Sequence, residues 1–363
     1  MKILIVCSHK GAYSKNANPF VKSLAEGMKA ESCSVVCDID SFWDKYDDYD
    51  IIYLQWPEEI YRWNKSNINL DALSDHFNLL KKKKKKTVVT CHNLHPHNND
   101  ELTTELYNLI YSKVDAIHHM GTYSYNVLKE KYPETFHFIV PHHVADEMWN
   151  RKNNISDSRK KLNIPEKDIV ISSFGAFRDQ DEVNLFLNMA KDVGRKSITY
   201  LAPRIPIGKL YNGRWINKSI SFILKFIKYK YLGVRYVGFL STEELDEWLC
   251  ASDIVFIQRK DILNSGNVAL AFSAHKVVVG PDLGNVGEIL KETHNYTFNP
   301  GNREFVCQEV KKAVNACQKG CTIGNDNYEY AKLNWTTSTV CKNIISKLKE
   351  LLNNKLANSR ITS

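Results

Sequence analysis

The chain alternates apolar, strand-like runs with amphipathic helical stretches, and does so in two series separated by one polar interruption. Strands and helices in strict alternation bury their apolar sides together only when the strands form a parallel sheet with helices on both faces. The first series reads "KILIVC", "SVVCDI", "YDIIYLQW", "TVVTCHN", "AIHHM" and "FHFIVPHH" as strands. Between them, "NPFVKSLAEGMKA" has its apolar residues at i, i+3 and i+4, as a helix with one buried face requires. From Asp146 to Lys167 the pattern breaks into "WNRKNNISDSRKKLNIPEKD", which is apolar-poor and reads as an interdomain connection. The alternation restarts with "DIVISSFGAF", "SITYLAP", "VRYVGFL", "DIVFIQ" and "KVVVGP" as strands. The expected organisation is α/β: a first parallel-sheet domain over 1–150, a second over 165–325, and a helical segment over 326–357 from "YEYAKLNWTTSTVCKNIISKLKELLNN".

A length of 363 residues suits two such domains. The opening "MKILIVC" runs straight into a strand, with no charged region ahead of an apolar one. No apolar run approaches the ~18 residues of a membrane span. The nine cysteines are odd in number and scattered. Cys317 and Cys321 lack the paired His/Cys set of a metal site. These features lead us to expect a reduced, cytoplasmic protein. The net charge of +8 is concentrated in two blocks, Lys81 to Lys86 and "KSISFILKFIKYKYLGVR" from Lys218 to Arg235. The lysine run follows a helical stretch and suits its C-terminus. In the second block Phe222, Ile223, Phe226, Ile227 and Tyr231 recur at helical spacing, with Lys225, Lys228 and Lys230 among them. That pattern fits a basic amphipathic helix on an anionic membrane surface, or equally a helix packed on its own domain.

Open parallel sheets bind ligands in the loops after their strands. In the first series those loops carry Lys10, Gly11 and Asn18; then Trp56, Pro57, Glu58 and Glu59; then His92, Asn93, His95 and His97; then His118 and His119. In the second they carry Gly175 and Arg178, Arg204, Arg259, a Ser265-Gly266 turn flanked by Asn264 and Asn267, and a glycine loop from Gly284 to Gly287 closed by Glu288. A Ser-Gly turn feeding a helix presents free backbone N–H groups and the positive helix end, which suit a phosphate. Asp47 and Asp48, in "YDDYD", precede a strand rather than follow one and read as a solvated loop, so no metal set is expected.

The motifs "NPFV", "YLQWPEE", "TCHNLHPH", "VDAIHHMGTYS", "VPHHVADEMW", "SSFGAFRD", "YVGFLSTEELDEWLCASDIVFIQ" and "LNSGNVALAFSAHKVVVGPDLGNVGEI", in this order, resemble the GT-B glycosyltransferases. The likeness is to the bacterial polysaccharide-assembling, mannosyl-type group (glycosyltransferase family 4). The resemblance implies two Rossmann-like domains facing across a cleft, the first binding acceptor and the second binding a GDP- or UDP-sugar. It implies a hexosyl transfer to a glycan acceptor, lipid-linked where the basic helix meets a membrane, in cell-surface polysaccharide assembly. It further implies a protein at the inner face of the membrane with no cofactor beyond its nucleotide-sugar substrate. On it, Gly175, Arg178, Arg259, Asn264, Ser265, Gly266, Asn267 and Glu288 bind donor, and Gly11, Asn18, Trp56, His92 and Asn93 bind acceptor. Two departures stand out. Many retaining relatives carry E-x7-E through the Ser-Gly turn, where this chain has about Ile262 and Leu270; a basic pair of the Arg-x-x-Lys kind reads Arg178 and Asp181.

Glycosyl transfer requires charge stabilisation at the leaving diphosphate, an aligned acceptor hydroxyl and, for inversion, a general base. Glu58 is the first choice of base, with Trp56 beside it to stack on a sugar; His97 and His118 are the alternatives. The strongest rival is a non-catalytic nucleotide- or sugar-binding protein of the same fold, because the two glutamates are missing. A nucleic-acid binder lacks an aromatic-interleaved or recognition-helix motif. A dinucleotide oxidoreductase lacks G-x-G-x-x-G after the first strand.

Overall fold

The computed structural model describes residues 1–8, 13, 19–96, 100–149, 153–206, 227 and 229–360, with side chains to 353. The expected sites Gly11, Asn18 and His97, and most of the basic stretch 218–235, lie outside the described residues. The chain divides into two compact units, Met1–Asp146 with Leu333–Ser363, and Glu147–Lys332.

In the first unit β1 (Lys2–Val6), β2 (Ser34–Cys37), β3 (Ile51–Leu54), β4 (Lys86–Thr90), β5 (Ala116–His119) and β6 (Phe136–Ile139) form one sheet in the order β2-β1-β3-β4-β5-β6. Every pairing is parallel. β3 is buried at every residue, as a central strand covered on both faces must be. The helices α1 (Pro19–Ala30), α2 (Asp40–Asp44), α3 (Leu70–Lys82), α4 (Glu101–Lys113) and α5 (Thr122–Lys131) connect the strands. The lysine run closes α3 and enters β4, at the amino edge of the sheet. Lys83 lies 3.6 Å from Asp47, Lys85 donates to the Asp47 and Tyr49 carbonyls, and Lys86 pairs with Asp115 at 2.7 Å. The "YDDYD" loop is thus a counter-charge for the lysines.

The second unit opens with α6 (Ile155–Lys161), inside the stretch expected to be a bare connection. Its polar composition conceals a buried anchor. Arg159 donates to Asp253 at 2.6 Å, to the Ala251 carbonyl at 3.1 Å and to the Glu166 carbonyl at 2.7 Å. β7 (Ile169–Ser172), β8 (Ile198–Leu201), β9 (Val234–Arg235), β10 (Ile254–Phe256), β11 (Val277–Pro281) and β12 (Tyr296–Phe298) form a second parallel sheet, ordered β12-β11-β10-β7-β8-β9. Around it run α7 (Gln180–Val193), α8 (Thr242–Ala251), α9 (Gly266–Phe272), α10 (Gly284–Glu292), α11 (Arg303–Gln318) and α12 (Ile323–Asn334).

The last helix, α13 (Thr337–Arg360), does not stand as a segment of its own: it packs on the first unit. Val340, Cys341, Ile344, Ile345, Leu348 and Leu351 complete the core beneath β1, with Phe20, Leu24 and Met28 of α1. The two helices touch at Gly27, where a Cβ would stand 2.5 Å from Thr337 Cγ2 and 2.6 Å from Cys341 Sγ. Where the chain leaves and re-enters the unit it pairs with itself, Val144 N–H donating to the Trp335 carbonyl at 2.8 Å and Thr337 Oγ1 to the Val144 carbonyl at 3.2 Å.

Candidate functional site

In each unit the expected site residues that are described follow the carboxyl ends of the strands. In the first, β3 runs into Gln55 and Trp56 and then a 3-10 turn, Pro57–Tyr61, with Pro57 at its start. Consecutive side chains on such a turn diverge by roughly a third of a revolution. Glu58 and Glu59 therefore meet different surroundings. Glu58 accepts the Tyr107 hydroxyl at 3.0–3.1 Å on its two oxygens and lines a cavity of about 290 Å³. Burial raises its pKa above the ordinary carboxylate value, against the opposing bond from Tyr107. Glu59 turns inward and is 8% exposed. It accepts Ser8 N–H at 3.2 Å, just past β1, while its Oε2 has no partner among the described residues. Burial pushes its pKa up to about 7.

Burial lowers the pKa of His92, His118, His142 and His143 at this edge. His92 stacks on Trp56 at 4.1 Å, and its Nε2–H donates to Gln55 Oε1 at 3.2 Å. Burial holds its pKa well below the usual imidazole value, assisted by His142. Phe20, at the start of α1, is within 5.0 Å of the His92, His142 and His143 rings, centroid to centroid. Gln55 is wholly buried, and its Nε2 has no partner among the described residues. The Asn93 carbonyl is held by the Tyr111 hydroxyl at 2.6 Å. His118 is placed differently from the expectation for a base. It is 1% exposed, with Nδ1 opposite the Tyr53 hydroxyl at 2.7 Å and Nε2–H donating to the Val140 carbonyl at 2.8 Å. Burial depresses its pKa to about 4. With both nitrogens engaged and no exposure, His118 braces β3, β5 and β6. Trp56, expected as a sugar platform, already gives a face to His92.

In the second unit β7 leads into Gly175 and Arg178. Gly175 has no room for a side chain: a Cβ would stand 2.9 Å from Asn267, 3.0 Å from Gln258 and 3.1 Å from Arg259. Gln258, two residues after β10, fixes this junction by accepting from Ser173 Oγ at 2.6 Å and donating to the Gly175 carbonyl at 3.1 Å. The structure thus brings Gly175, Arg259 and Asn267 together. Arg259 is largely buried, donating to the Ala176 carbonyl at 2.7 Å and pairing with Glu182. Burial lowers its pKa, and the like charge of Arg178 adds to this. Arg178 is exposed, reaching the Asp261 carbonyl at 3.2 Å, while its backbone N–H donates to Glu182 at 2.8 Å. One buried carboxylate thus takes the Arg259 guanidinium and the Arg178 backbone N–H, while the Arg178 guanidinium faces solvent. Arg204 lies over the Phe239 ring instead. Asp181, at the position of the expected second cation, pairs with Lys260 at 2.8 Å.

The two glycine-bearing loops meet. At Gly284, φ is +55° and a Cβ would stand 2.7 Å from the Ile262 carbonyl and 2.8 Å from Leu263 Cα. Val286 N–H donates to the Leu263 carbonyl at 3.2 Å, and Asn285 Nδ2 to Asn264 Oδ1 at 2.8 Å. α9 and α10 therefore begin side by side, with Ser265 and Leu283 as N-caps that supply no side-chain bond. Glu288 lies in the second turn of α10. Ile262 is buried, consistent with its apolar side chain.

Sequence reasoning missed several participants. Glu182 stands three residues after Asp179, which caps α7, so it reads as an ordinary capping glutamate; its side chain instead takes the Arg259 guanidinium and the Arg178 backbone N–H. Gln258 carries no motif, and its role appears only when β7 and β10 are adjacent. Trp63, 58% exposed beside Glu58, had no periodicity to mark it. Among the described residues no group of three or more His, Cys, Asp or Glu side chains is placed to hold a metal ion, and no helix is long and apolar enough to cross a membrane.

No family model matches the sequence, and no curated protein matches it. Solved structures do match its fold. Sucrose-phosphate synthase from Thermosynechococcus elongatus is 12% identical with a TM-score of 0.74, covering 98% of this chain and 100% of that one. HepE from Anabaena, in complex with UDP, is 14% identical with a TM-score of 0.70, covering 96% of this chain and 100% of that one. HepE has also been solved with UDP-glucose. A protein described as a UDP-N-acetylglucosamine 2-epimerase from Listeria monocytogenes is 12% identical with a TM-score of 0.61, covering 97% and 96%. At such identities the likeness is one of architecture. Two six-stranded parallel sheets with flanking helices, in these strand orders and over nearly the whole chain, are the GT-B fold.

Proposed function

We propose that the chain is a glycosyltransferase that moves a hexose from a nucleotide-sugar, a UDP-sugar in the first instance, to a glycan acceptor. The observation that carries this reading is the charge arrangement at the carboxyl edge of the second sheet. The Arg259 side chain and the Arg178 backbone N–H converge on the Glu182 carboxylate, which leaves the Arg178 guanidinium facing solvent next to two helix starts whose caps supply no side-chain bond. A pyrophosphate is the ligand this suits, as charge-assisted bonds and helix N-termini both favour an anion. HepE, of the same fold, was solved with UDP and with UDP-glucose, which supports uridine as the first base to test.

In this reading Arg178 takes the diphosphate, Arg259 and Glu182 set its position, and Gly175, Asn264, Ser265, Gly266, Asn267 and Glu288 line the donor. The protein's own cations meet the leaving-group charge, and no metal is invoked. Trp56, His92 and Asn93 border the acceptor side, with Gly11 and Asn18 in the same role. Glu58 takes the acceptor proton if the reaction inverts, since it lines a cavity and its raised pKa suits a base; His97 is the alternative. A lipid-linked acceptor in polysaccharide assembly at the inner membrane face extends the reading. It is supported by the basic sequence 218–235, of which Ile227 and Tyr231 are exposed. The lysine run lends less support, because it lies at the amino edge of the first sheet and is partly neutralised by Asp47. Ile262 and Leu270 favour one alternative, nucleotide binding without turnover.

The test is calorimetric titration with UDP and uridine. Arg178→Ala should weaken UDP by about 10- to 100-fold, the loss of one charge-assisted bond of about 1.5–3 kcal/mol, and leave uridine unchanged. Equal weakening of both would refute the phosphate role. Sugar release or transfer from bound UDP-sugar separates the enzyme from the non-catalytic alternative.

A further inference from the structure

The cavity beside Glu58 in the first unit has a composition that the donor chemistry does not explain. At about 290 Å³ it lies near the lower end of the roughly 300–1,000 Å³ typical of small-ligand sites. That is room for one ring rather than a chain. Trp63 forms one wall while 58% exposed, an indole left facing solvent. Its backbone is unusual as well. Arg62 and Trp63 are consecutive left-handed residues, with φ of 54° and 60°. Side chains other than glycine disfavour this conformation, and such outliers concentrate at functional sites. Here it is held in place by three backbone bonds, from Arg62 N–H to the Glu59 carbonyl at 2.8 Å, Trp63 N–H to the Glu58 carbonyl at 3.0 Å and Asn64 N–H to the Tyr61 carbonyl at 2.9 Å. The turn thus presents Trp63 to the cavity instead of folding it into the core.

The polar groups of the cavity define what it can hold. Asp100 is committed to Thr103 N–H at 3.0 Å, Thr103 Oγ1 at 2.8 Å and Lys65 Nζ at 2.5 Å. Lys65 is neutralised by the same contact. Glu58 differs. Among the described residues it accepts from the Tyr107 hydroxyl and from its own backbone N–H, and a carboxylate has about four acceptor positions. The cavity therefore offers an apolar aromatic wall and one carboxylate with spare acceptor capacity, and no uncommitted cation among its described lining residues. A phosphate or carboxylate would meet repulsion from Glu58. A neutral pyranose matches: its C–H face packs on an indole, and its hydroxyls donate.

We propose that this cavity binds a neutral sugar ring of the acceptor, stacked on Trp63 with one hydroxyl donating to Glu58. The inference rests on the transfer reading for the word acceptor; the sugar site itself does not. It moves the sugar platform from Trp56, whose face is taken by His92, to Trp63.

Saturation-transfer NMR and intrinsic tryptophan fluorescence on the full chain test it, with methyl α-glucoside, methyl α-mannoside, methyl α-galactoside and glucuronic acid as probes. At least one neutral glycoside should bind, and glucuronic acid should bind less well. Trp63→Ala should weaken the neutral glycoside about tenfold or more, Trp63→Phe less, and neither should change UDP affinity. Trp63 is exposed, so both variants keep the fold. Unchanged glycoside affinity in Trp63→Ala, binding of glucuronic acid at least as tight as of the neutral sugars, or no glycoside binding while UDP binds would each overturn the proposal. Glycoside binding through Trp63 without any UDP binding would uphold the sugar site and remove the transfer reading.

Discussion

Glu59 allows a test of the electrostatics of the first unit that needs no substrate. The residue is 8% exposed, one carboxyl oxygen accepts Ser8 N–H and the other is buried with no partner among the described residues. Burial raises its pKa from an ordinary 4.5 to about 7. Each pKa unit is worth about 1.4 kcal/mol of difference between the two protonation states. Below pH 4.5 the carboxyl is protonated in both folded and unfolded chains and has no effect on the pH dependence. Between 4.5 and 7 the unfolded chain ionises while the folded one keeps its proton, so folding stability falls as pH rises. Above 7 both are ionised and the loss levels off, at on the order of 3 kcal/mol. Glu59→Gln mimics the protonated acid and removes this dependence. Urea denaturation of both proteins from pH 4.5 to 8.5 supplies the difference curve, in which contributions from other groups cancel. The variant should match the wild type near pH 4.5 and exceed it by about 3 kcal/mol at pH 8. A difference that stays flat over the whole range would show that Glu59 is ionised and paired throughout, and the burial argument would fail.

Two further outcomes follow from the geometry. Gly284→Ala puts a Cβ against the Ile262 and Leu263 backbone at a positive φ, so it should destabilise by about 2 kcal/mol or more and lower Tm by about 4–8 °C, with UDP affinity falling; a thermal melt equal to wild type would mean the two loops do not pack as described. Glu58→Gln should leave UDP binding intact and lower turnover by ~10²–10⁴. Wild-type turnover should fall on acidification as the raised carboxyl protonates, and the variant should lose that limb; unchanged turnover would remove Glu58 from the role of base.

Much of the fold was legible because the strands are continuous apolar runs. "DIIYLQ" and "DIVFIQ" name β3 and β10 almost to the residue, since central strands are buried on both faces. The tail was harder. Its helical period was plain, but periodicity does not say which sheet an apolar stripe covers; the shared core and the close contact of Gly27 with Thr337 and Cys341 show that α13 belongs under β1. The connection misled for a related reason: Arg159 looks like surface in a sequence, and its burial depends on Asp253, 94 residues away. The donor loops were legible through their glycines and Arg178. Arg259 was named without its partner, because the buried Glu182 that pairs with it carries an ordinary capping signature. In the histidine-rich edge, residue type alone could not separate His118, closed in the core, from His92 on the Trp56 face.

The two adjacent glutamates show why the site had to be built from geometry. Glu58 and Glu59 follow the same strand, share a residue type and both have raised pKa values from burial. The 3-10 turn separates them. Glu58 faces a cavity with Trp63 and is steadied by Tyr107; Glu59 faces inward, to the amide that begins the loop after β1. A base must reach the hydroxyl it deprotonates, so position ranks above pKa. By that criterion the carboxyl with the pKa nearer neutrality is the poorer base, because it is closed off, and the better one is the carboxyl beside the exposed indole. The closed carboxyl has a different consequence: the Ser8 N–H bonds the ionised form more strongly and opposes the burial that raises the pKa, so the bond at Ser8 should tighten as pH rises through about 7 even though burying the charge lowers overall stability. Hydrogen exchange of the Ser8 amide at pH 6 and pH 8, corrected for intrinsic rate, reads this directly in the same Glu59→Gln comparison. Protection that rises with pH in the wild type and holds in the variant fits the assignment; protection that falls in the wild type would mean that burying the charge opens the site more than the ionised carboxylate grips the amide.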